Sequence, residues 1–239
     1  MLSKSQIKLI TRLKQKKYRI ADGFFVAEGI KVIKELLESS LELHYLFTTE
    51  PFKSHTESET LITENELKKI SFLTTPNKAL AVFKIPEQKN IDAQGLIVAL
   101  DSVRDPGNLG TIIRLCDWFG IKELVCSKET VDCYNPKVVQ ATMGSITRVN
   151  ISYLDLNTFL AEAETPIFGA FMDGKNVYKS KLPKEGIIIM GNEANGISEA
   201  IEKQVTDRIA IPRFGDLQAT ESLNVATATA VLLSEFRRS

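Results

Sequence analysis

Two short apolar runs constrain the fold of this 239-residue chain more than any other feature. Residues 96–100 read Leu-Ile-Val-Ala-Leu, and residues 187–190 read Ile-Ile-Ile-Met. Runs of this kind are typical of strands that are buried on both faces of a parallel sheet. Strand patterns alternate with helical patterns along this part of the chain, which predicts an α/β fold with helices covering both faces of the sheet.

Other segments extend this pattern over most of the chain. Further strands are predicted at residues 24–27, 43–48, 123–127, 167–171 and 208–211, and helices at residues 30–38, 64–70, 111–119, 136–143, 198–203 and 223–236. Residues 84–90 carry a proline and polar residues between apolar segments, and they indicate a linker. We therefore predict a small α/β domain over residues 1–90 and a parallel-sheet domain over residues 91–239.

Charge is divided unevenly along the chain, although the formal net charge is zero. Residues 1–90 hold 15 Lys and Arg against 11 Asp and Glu, whereas residues 91–239 hold 15 against 19. On a predicted N-terminal helix, i, i+4 spacing forms a basic stripe of Lys4, Lys8, Arg12 and Lys16. Such a stripe can neutralise the phosphates of a nucleic acid. An ordinary solvated helix face is the alternative interpretation.

Several classes of protein are excluded by what the sequence lacks. No apolar run approaches the roughly 20 residues that a membrane-spanning helix needs, and the N-terminus has no apolar signal core. The three cysteines (Cys116, Cys126 and Cys133) are odd in number and have no CxxC spacing, which argues against a disulfide framework and a zinc site. These features predict a reduced, cytoplasmic protein without a membrane partner.

Histidine and metal chemistry are also excluded from the second predicted domain. The chain has two histidines, His44 and His55, and both fall in the first domain. A Ser-His-Asp or Cys-His site in the second domain is therefore ruled out, and the sequence shows no metal-ligand cluster. A site of this composition suits a reaction driven mainly by positioning and electrostatics, such as methyl transfer from a sulfonium.

The first of three strand–loop–helix segments spans residues 101–114. Its Asp-Pro-Gly-Asn turn follows the strand at 96–100, where open α/β sheets bind ligands. Arg114 is predicted on the first turn of the next helix, where a cation opposes the helix dipole. We therefore expect an anionic partner such as a phosphate. An ordinary turn and a structural ion pair are the alternatives.

The other two segments have the same order of elements. Residues 187–198 run from a strand into a loop that holds Gly191, Glu193 and Gly196, and glycine suits close backbone approach to a ligand. Residues 211–226 end a strand at a proline and open the last helix at Ser222 or Asn224. Taken alone, each segment is also explained by ordinary turns and N-caps.

Together the three segments resemble the SpoU/TrmH family of RNA ribose methyltransferases, within the SPOUT class, over about residues 96–238. The family's first motif, an Asn followed six residues later by an Arg, is matched by Asn108 and Arg114. Its second motif, Gly-x-Glu-x-x-Gly, is matched at residues 191–196, with Ala194 where the family often has Gly. Its third, Ser-Leu-Asn-Val-Ala, is matched at residues 222–226.

This resemblance implies a trefoil-knotted SPOUT domain, preceded by a small α/β RNA-binding domain. Such a knot is a rare exception to the rules for chain connections. The resemblance further implies S-adenosylmethionine as cofactor and a homodimer in which each site is completed across the interface. The implied cofactor-binding residues are Met190, Gly191, Asn192, Gly196, Ile211, Leu217, Ser222 and Leu223. The implied catalytic residues are Arg114, Asn108, Glu193, Ser222 and Asn224, and Arg114 is also expected to bind RNA.

The role of Arg114 needs a separate hypothesis. Proposals for the family make this arginine a general base, but a guanidinium does not give up its proton at neutral pH. We expect instead that Arg114 grips the adjacent phosphate and stabilises developing oxyanion character. Glu193, Ser222 and Asn108 would order the arginine and the nucleotide, and Asn224 would fix the loop.

The implied reaction is methylation of an RNA ribose 2′-hydroxyl, with 23S rRNA favoured over tRNA because tRNA-specific relatives often lack a dedicated substrate domain. A tRNA ribose methyltransferase is one alternative. A catalytically silent RNA-binding ribosome assembly factor is another, although retention of the full motif set argues against it. A nucleotide-dependent oxidoreductase is disfavoured because the glycine fingerprint of such enzymes is missing.

Overall fold

The computed structural model describes residues 2–52, 59–214 and 222–238. The chain forms two compact units, one of Met1–Glu87 with Asp132–Thr147 and the other of Gln88–Val131 with Arg148–Ser239. Within the described ranges, no helix is both long enough and apolar enough to cross a bilayer.

Helices and strands follow one another through both units. The helices are α1 (Lys4–Arg12), α2 (Lys16–Asp22), α3 (Ile30–Leu37), α4 (Glu64–Ile70), α5 (Pro106–Trp118), α6 (Pro136–Thr142), α7 (Leu156–Ala161), α8 (Glu199–Glu202) and α9 (Val225–Arg238). The strands are β1 (Phe24–Glu28), β2 (Leu43–Thr48), β3 (Glu59–Leu61), β4 (Ala79–Lys84), β5 (Leu96–Leu100), β6 (Glu123–Ser127), β7 (Asn150–Leu154), β8 (Ile167–Asn176), β9 (Gly186–Met190) and β10 (Asp207–Ala210). Every predicted strand and helix listed by range above is present, with ends shifted by a few residues.

The first unit is built on a four-stranded sheet in the order β1-β4-β2-β3. Strand β4 pairs antiparallel with both β1 and β2, and β3 pairs parallel with β2. Alternate side chains of these strands, including Val26 and Phe47, pack with Ile10 of α1 and Leu67 of α4 in one core. The prediction omitted β4, although its apolar run at residues 79–83 carried the signal of a buried strand.

The N-terminal basic segment is two helices, which corrects the single helix predicted from its charge spacing. Helix α1 ends at Arg12, and Leu13 at its C-cap is fully buried, so the chain turns before Lys16 begins α2. The predicted stripe therefore continues only over Lys4, Lys8 and Arg12. Arg12 also donates to Asp22 at 2.6 Å, so part of its charge is already balanced.

Residues 132–147 pack within the first unit, although the boundary predicted near residue 90 assigns them to the second domain. The guanidinium of Arg19, 2% exposed, donates to Oδ2 of Asp132 from Nε at 2.9 Å and from Nη2 at 2.5 Å. The ring of Tyr134 lies 4.8 Å from that of Phe25 in β1. These contacts join segments that are far apart in sequence, so local patterns gave no sign of them.

Lowering the pH should weaken the N-terminal end of α4, because it protonates the carboxylate of Glu66. The backbone amides of Thr63 and Leu2 donate to its carboxylate at 2.9 Å each, and they lower the pKa of Glu66 from 4.5 to about 2. A carboxyl with a lowered folded-state pKa stabilises the fold above its ordinary pKa and loses that effect as the pH falls. Urea midpoints of wild type and Glu66→Gln should differ at pH 7 and converge between about pH 4.5 and 2. A difference independent of pH would contradict this prediction.

The second unit holds a six-stranded sheet in the order β10-β8-β9-β5-β6-β7, in which every neighbouring pair is parallel. Ile97 and Ile189 pack toward Leu156 and Leu160 of α7 on one face. Phe168, which points to the other face, lies 5.1 Å ring to ring from Phe236 of α9. The predicted parallel sheet with helices on both faces is confirmed. Strand β7 and helix α7 were not predicted. Strand β7 lies at the edge of the sheet and has no continuous apolar run.

Helix α5 begins at Pro106, five residues before its predicted start. Asp105 caps it by accepting from the amide of Asn108 at 2.8 Å, and proline is favoured at a first helical position. Arg114 therefore lies in the third turn, and the argument that placed it on the first turn against the helix dipole is wrong. The prediction that Arg114 has an anionic partner therefore loses this support and depends on other features of the residue.

Candidate functional site

A pocket of about 1330 Å³ lies near the carboxyl ends of β9 and β10. In parallel α/β sheets this is the edge at which ligands bind. Residues predicted from the motifs line it: Met190, Gly191, Asn192, Glu193, Gly196, Ile211, Ser222, Leu223 and Asn224. Leu217, also predicted to bind the cofactor, lies outside the described residues. The second and third motifs lie about thirty residues apart in sequence, and both contribute residues to the lining of this one pocket.

The loop at residues 191–198 is folded tightly back on itself. Asn192 and Gly196 exchange two backbone hydrogen bonds, each of 2.9 Å. The Asn192 side-chain oxygen accepts from the amides of Ala194 and Asn195 at 2.9 and 3.1 Å. A Cβ at Gly191 would stand 2.2 Å from the carbonyl carbon of Gly196, so this closure requires glycine.

Glu193 links this loop to the first motif. Its carboxylate accepts from the amides of Arg104 and Asp105 at 3.3 and 3.2 Å, and from the Asn108 side chain at 3.1 Å. Asn108 in turn accepts at 2.9 Å from the side-chain amide of Asn224. One residue from each motif therefore takes part in a single hydrogen-bonded chain.

Opposing influences act on the carboxyl of Glu193. Burial raises its pKa and is the largest single influence, but the hydrogen bonds from Asn108 and from backbone amides together lower the pKa below its ordinary value. Glu193 is therefore ionised at neutral pH and can hold its donors as a full anion. These hydrogen bonds allow Glu193 to anchor the first motif to the loop at residues 191–198.

Asn224 has a second role at the start of α9. Its side-chain oxygen accepts from the amides of Ala226 and Thr227 at 3.0 and 3.2 Å, as an N-cap residue does. The predicted choice between Ser222 and Asn224 as helix opener is thus decided for Asn224. Ser222 lines the pocket and is exposed.

Arg114 differs from the other predicted catalytic residues. It is exposed, it does not line the pocket, and it makes no hydrogen bond or ion pair with any residue in the described ranges. Trp118, one turn further along α5, is 83% exposed. An exposed guanidinium and an exposed indole thus share one face of this helix.

The predicted RNA-binding lysines lie in the first unit. Lys4 and Lys8 are exposed on α1, and Lys16 is exposed at the start of α2. Arg12 is half-buried and ion-paired as described above.

Sequence reasoning missed two groups at or near the pocket. Arg208 lies 3.6 Å above the Phe171 ring and pairs with Glu202 and Asp173, and both Phe171 and Glu202 line the pocket. Their spacing in sequence carries no signal for this cluster. Asp101 is 5% exposed directly after β5, and an acid at the end of a buried strand was a usable signal.

Comparison with known proteins identifies the family to which a chain with this site belongs. The sequence model of the SpoU rRNA Methylase family matches residues 95–234, more than half of the chain. The chain belongs to the SpoU rRNA methylase family. The model of the MRM3-like substrate binding domain matches residues 4–81 of this SpoU protein.

Solved structures and a curated relative agree with the SpoU assignment. A Porphyromonas gingivalis protein assigned to the TrmH family of RNA methyltransferases is 39% identical, with a TM-score of 0.91, covering 100% of this chain and 99% of its own. The AdoMet-bound rRNA methyltransferase from Sinorhizobium meliloti is 28% identical, with a TM-score of 0.87 and coverages of 100% and 97%. The 23S rRNA (guanosine(2553)-2′-O)-methyltransferase RlmP of Bacillus subtilis is 27% identical over 95% of this chain and 93% of its own length. The predicted SpoU/TrmH resemblance is confirmed.

Proposed function

We propose that this protein is an S-adenosylmethionine-dependent RNA methyltransferase that acts on a ribose 2′-hydroxyl. The observation that carries the proposal is the hydrogen-bonded chain Asn224–Asn108–Glu193, which joins one residue of each motif beside a single pocket.

The pocket suits S-adenosylmethionine in size and in chemistry. Its walls combine apolar side chains such as Met190, Ile211 and Leu223 with exposed backbone of the 191–196 loop, which suits a flat adenine. Its described ionisable residues are two acids, Glu193 and Glu202, and one base, Arg213. Glu202 is paired with Arg208, so the ionised Glu193 is the group that suits a ligand with a sulfonium cation. Bound S-adenosylmethionine would supply the methyl group: the oxygen–carbon bond would form as the carbon–sulfur bond breaks, leaving a neutral thioether, and the proton of the 2′-hydroxyl would pass to solvent water.

The residues of this chain would do the remaining work by positioning. Arg114 grips the phosphate next to the target ribose and stabilises negative charge developing on the 2′-oxygen, since guanidinium pairs well with phosphate. Glu193 and Asn108 hold the start of α5, the helix that carries Arg114. Asn224 ties that helix to α9.

The active form would be a homodimer. Arg114 stands outside the pocket of its own chain, although its proposed role places it beside the 2′-oxygen that attacks the methyl group. Trp118 on the same helix face leaves a large indole in water, and aromatic residues exposed in this way are enriched at protein interfaces. A second copy covering this face would bury Trp118 and bring Arg114 to the partner's pocket. We also propose that the second unit contains the trefoil knot that the family resemblance implies.

Large-subunit rRNA, specifically 23S rRNA, is the proposed substrate. The first unit matches a substrate-binding domain model and exposes Lys4, Lys8 and Lys16, which can contact phosphates without base specificity. The relative RlmP acts on 23S rRNA, and it is similar over nearly the whole chain. A cytoplasmic location fits three buried cysteines that are odd in number and have no CxxC spacing.

Equilibrium dialysis with S-adenosylmethionine tests this proposal against the silent alternative. We expect saturable binding at one site per chain, with S-adenosylhomocysteine competing. The absence of binding by the folded, full-length protein would favour a silent assembly factor.

Replacing Gly191 with alanine should destroy cofactor binding. The added Cβ would lie 2.2 and 2.3 Å from backbone atoms of Gly196 and Ile197, so the loop must open. We expect affinity for S-adenosylmethionine to fall more than about 100-fold, as for steric disruption of a preformed site. Gly95→Ala is the matched control: it lies outside the pocket lining, and its φ is +76° with open space around the new Cβ, so it adds only about 1–2 kcal/mol of left-handed strain. Equal affinities for the two variants would contradict the prediction.

A further inference from the structure

Asp101 is a buried carboxylate with no role in the proposed chemistry. It follows β5 directly, is 5% exposed, and does not line the pocket. Its Oδ2 accepts from the backbone amide of Ser198 at 2.7 Å, and its Oδ1 accepts from the hydroxyl of Ser102 at 3.2 Å. Its own amide donates to the carbonyl of Met190 at 2.9 Å. Asp101 therefore contacts both ends of the loop that forms one wall of the pocket.

A second contact reinforces this attachment. Ser102 adopts a left-handed backbone conformation with φ of 61°, which is rare for serine. Its carbonyl accepts from the side-chain amide of Asn192 at 2.6 Å, and its amide donates to the hydroxyl of Ser127 at 3.0 Å. Strained conformations of this kind persist only where surrounding contacts fix them.

The two acids of the site form a reciprocal arrangement. Asp101 belongs to the first motif segment and holds an amide of the second, that of Ser198. Glu193 belongs to the second segment and holds two amides of the first, those of Arg104 and Asp105. Each loop thus supplies the anion that fixes the backbone of the other, and neither loop can shift without breaking a charge-assisted hydrogen bond.

We propose that Asp101 is a positioning residue, whose buried carboxylate holds the 191–198 loop in the shape that binds S-adenosylmethionine. The inference rests on the proposed function of the pocket. Asp101 acts through the loop and does not touch the methyl donor. A hydrogen bond to a charged acceptor is among the stronger ones in a protein, so its loss should change ligand affinity measurably.

The test compares Asp101→Ala, Asp101→Asn and a matched control, Asp155→Ala. Asp155 makes the same kind of bond at the start of α7, accepting from the Thr158 amide at 2.9 Å, but it lies outside the pocket lining. Dissociation constants for S-adenosylmethionine and thermal midpoints would be measured for each full-length variant. We expect Asp101→Ala to bind about 10- to 100-fold more weakly, from the loss of one hydrogen bond to a charged group. Asp101→Asn keeps an acceptor but loses the charge, so its affinity should lie between those of wild type and Asp101→Ala, and Asp155→Ala should lower only the midpoint.

A backbone ester at residue 198, made by replacing Ser198 with its α-hydroxy analogue glyceric acid, removes the donor and leaves Asp101 in place. The ester oxygen replaces the N–H that donates to Oδ2 at 2.7 Å and adds no atom beside the carboxylate. This variant decides the test if Asp101→Ala does not fold, and it should weaken binding by a similar factor. Wild-type affinity in the ester variant, or in a folded Asp101→Ala, would overturn the proposal. Failure of the wild-type protein to bind S-adenosylmethionine would instead overturn the proposed function.

Discussion

Replacing Arg114 with alanine is expected to abolish methyl transfer while leaving affinity for S-adenosylmethionine within about threefold of wild type. The side chain lies outside the pocket and makes no bond within the described ranges, so its loss should leave both the pocket and the fold unchanged. Removing one group that stabilises transition-state charge typically lowers kcat by about 100- to 1000-fold. Arg114→Lys should recover part of the rate, because an ammonium keeps the charge without the bidentate geometry.

Single-turnover rates and dialysis would be measured on the same preparations. Lys122→Ala is the control, since it removes an exposed positive charge from the same unit at a position outside the pocket lining. A folded Arg114→Ala that no longer binds S-adenosylmethionine would contradict the phosphate-gripping role, and so would undiminished turnover.

Mixed dimers test whether Arg114 works across the interface. Arg114→Ala and Gly191→Ala would each be inactive alone, and co-expression should give about half heterodimers with one intact site each, or about a quarter of wild-type activity. No recovery from confirmed heterodimers would place both groups in the same chain's site.

The largest effect on stability is expected from Arg19→Met. Arg19 donates to Asp132 and to the carbonyls of Leu13 and Lys14, and the change leaves all three acceptors without this donor. Breaking a buried ion pair by removing one partner typically costs about 3–5 kcal/mol of unfolding free energy. The loss should appear in the urea transition of the first unit.

Two comparisons make this prediction specific. Lys78→Ala breaks an exposed pair with Glu50 and should cost about 0–1 kcal/mol. Arg19→Met combined with Asp132→Leu removes both charges and should regain much of the loss, because it leaves no uncompensated buried carboxylate. A cost below about 1 kcal/mol for Arg19→Met alone would show that the pair does not hold residues 132–147 in the first unit.

Local sequence patterns predicted the strands of the second unit well, because residues buried on both faces of a parallel sheet must be apolar at every position. They failed where a signal depends on neighbours in space. Edge strand β7 has a mixed pattern, and the turn at Leu13 divides a segment whose charges fit one helix.

The candidate site shows the same division. Motif order identified the residues around the pocket, but the actual start of α5 removed the helix-dipole argument for Arg114. Asp101 and the Arg208–Phe171 contact depend on loop and strand packing that brings distant residues together. Neither contact has a fixed spacing in sequence, so only the structure identifies these partners.

Ribose methylation mapping tests the central proposal most directly. Purified 23S rRNA and bulk tRNA, both lacking endogenous modification, would be incubated with S-adenosylmethionine and either wild type or Arg114→Ala, and 2′-O-methylated positions would be read by their resistance to alkaline hydrolysis. We predict one new resistant ribose in 23S rRNA with wild type alone. Methylation of a base, or of tRNA only, or of no RNA by a protein that binds S-adenosylmethionine would contradict it.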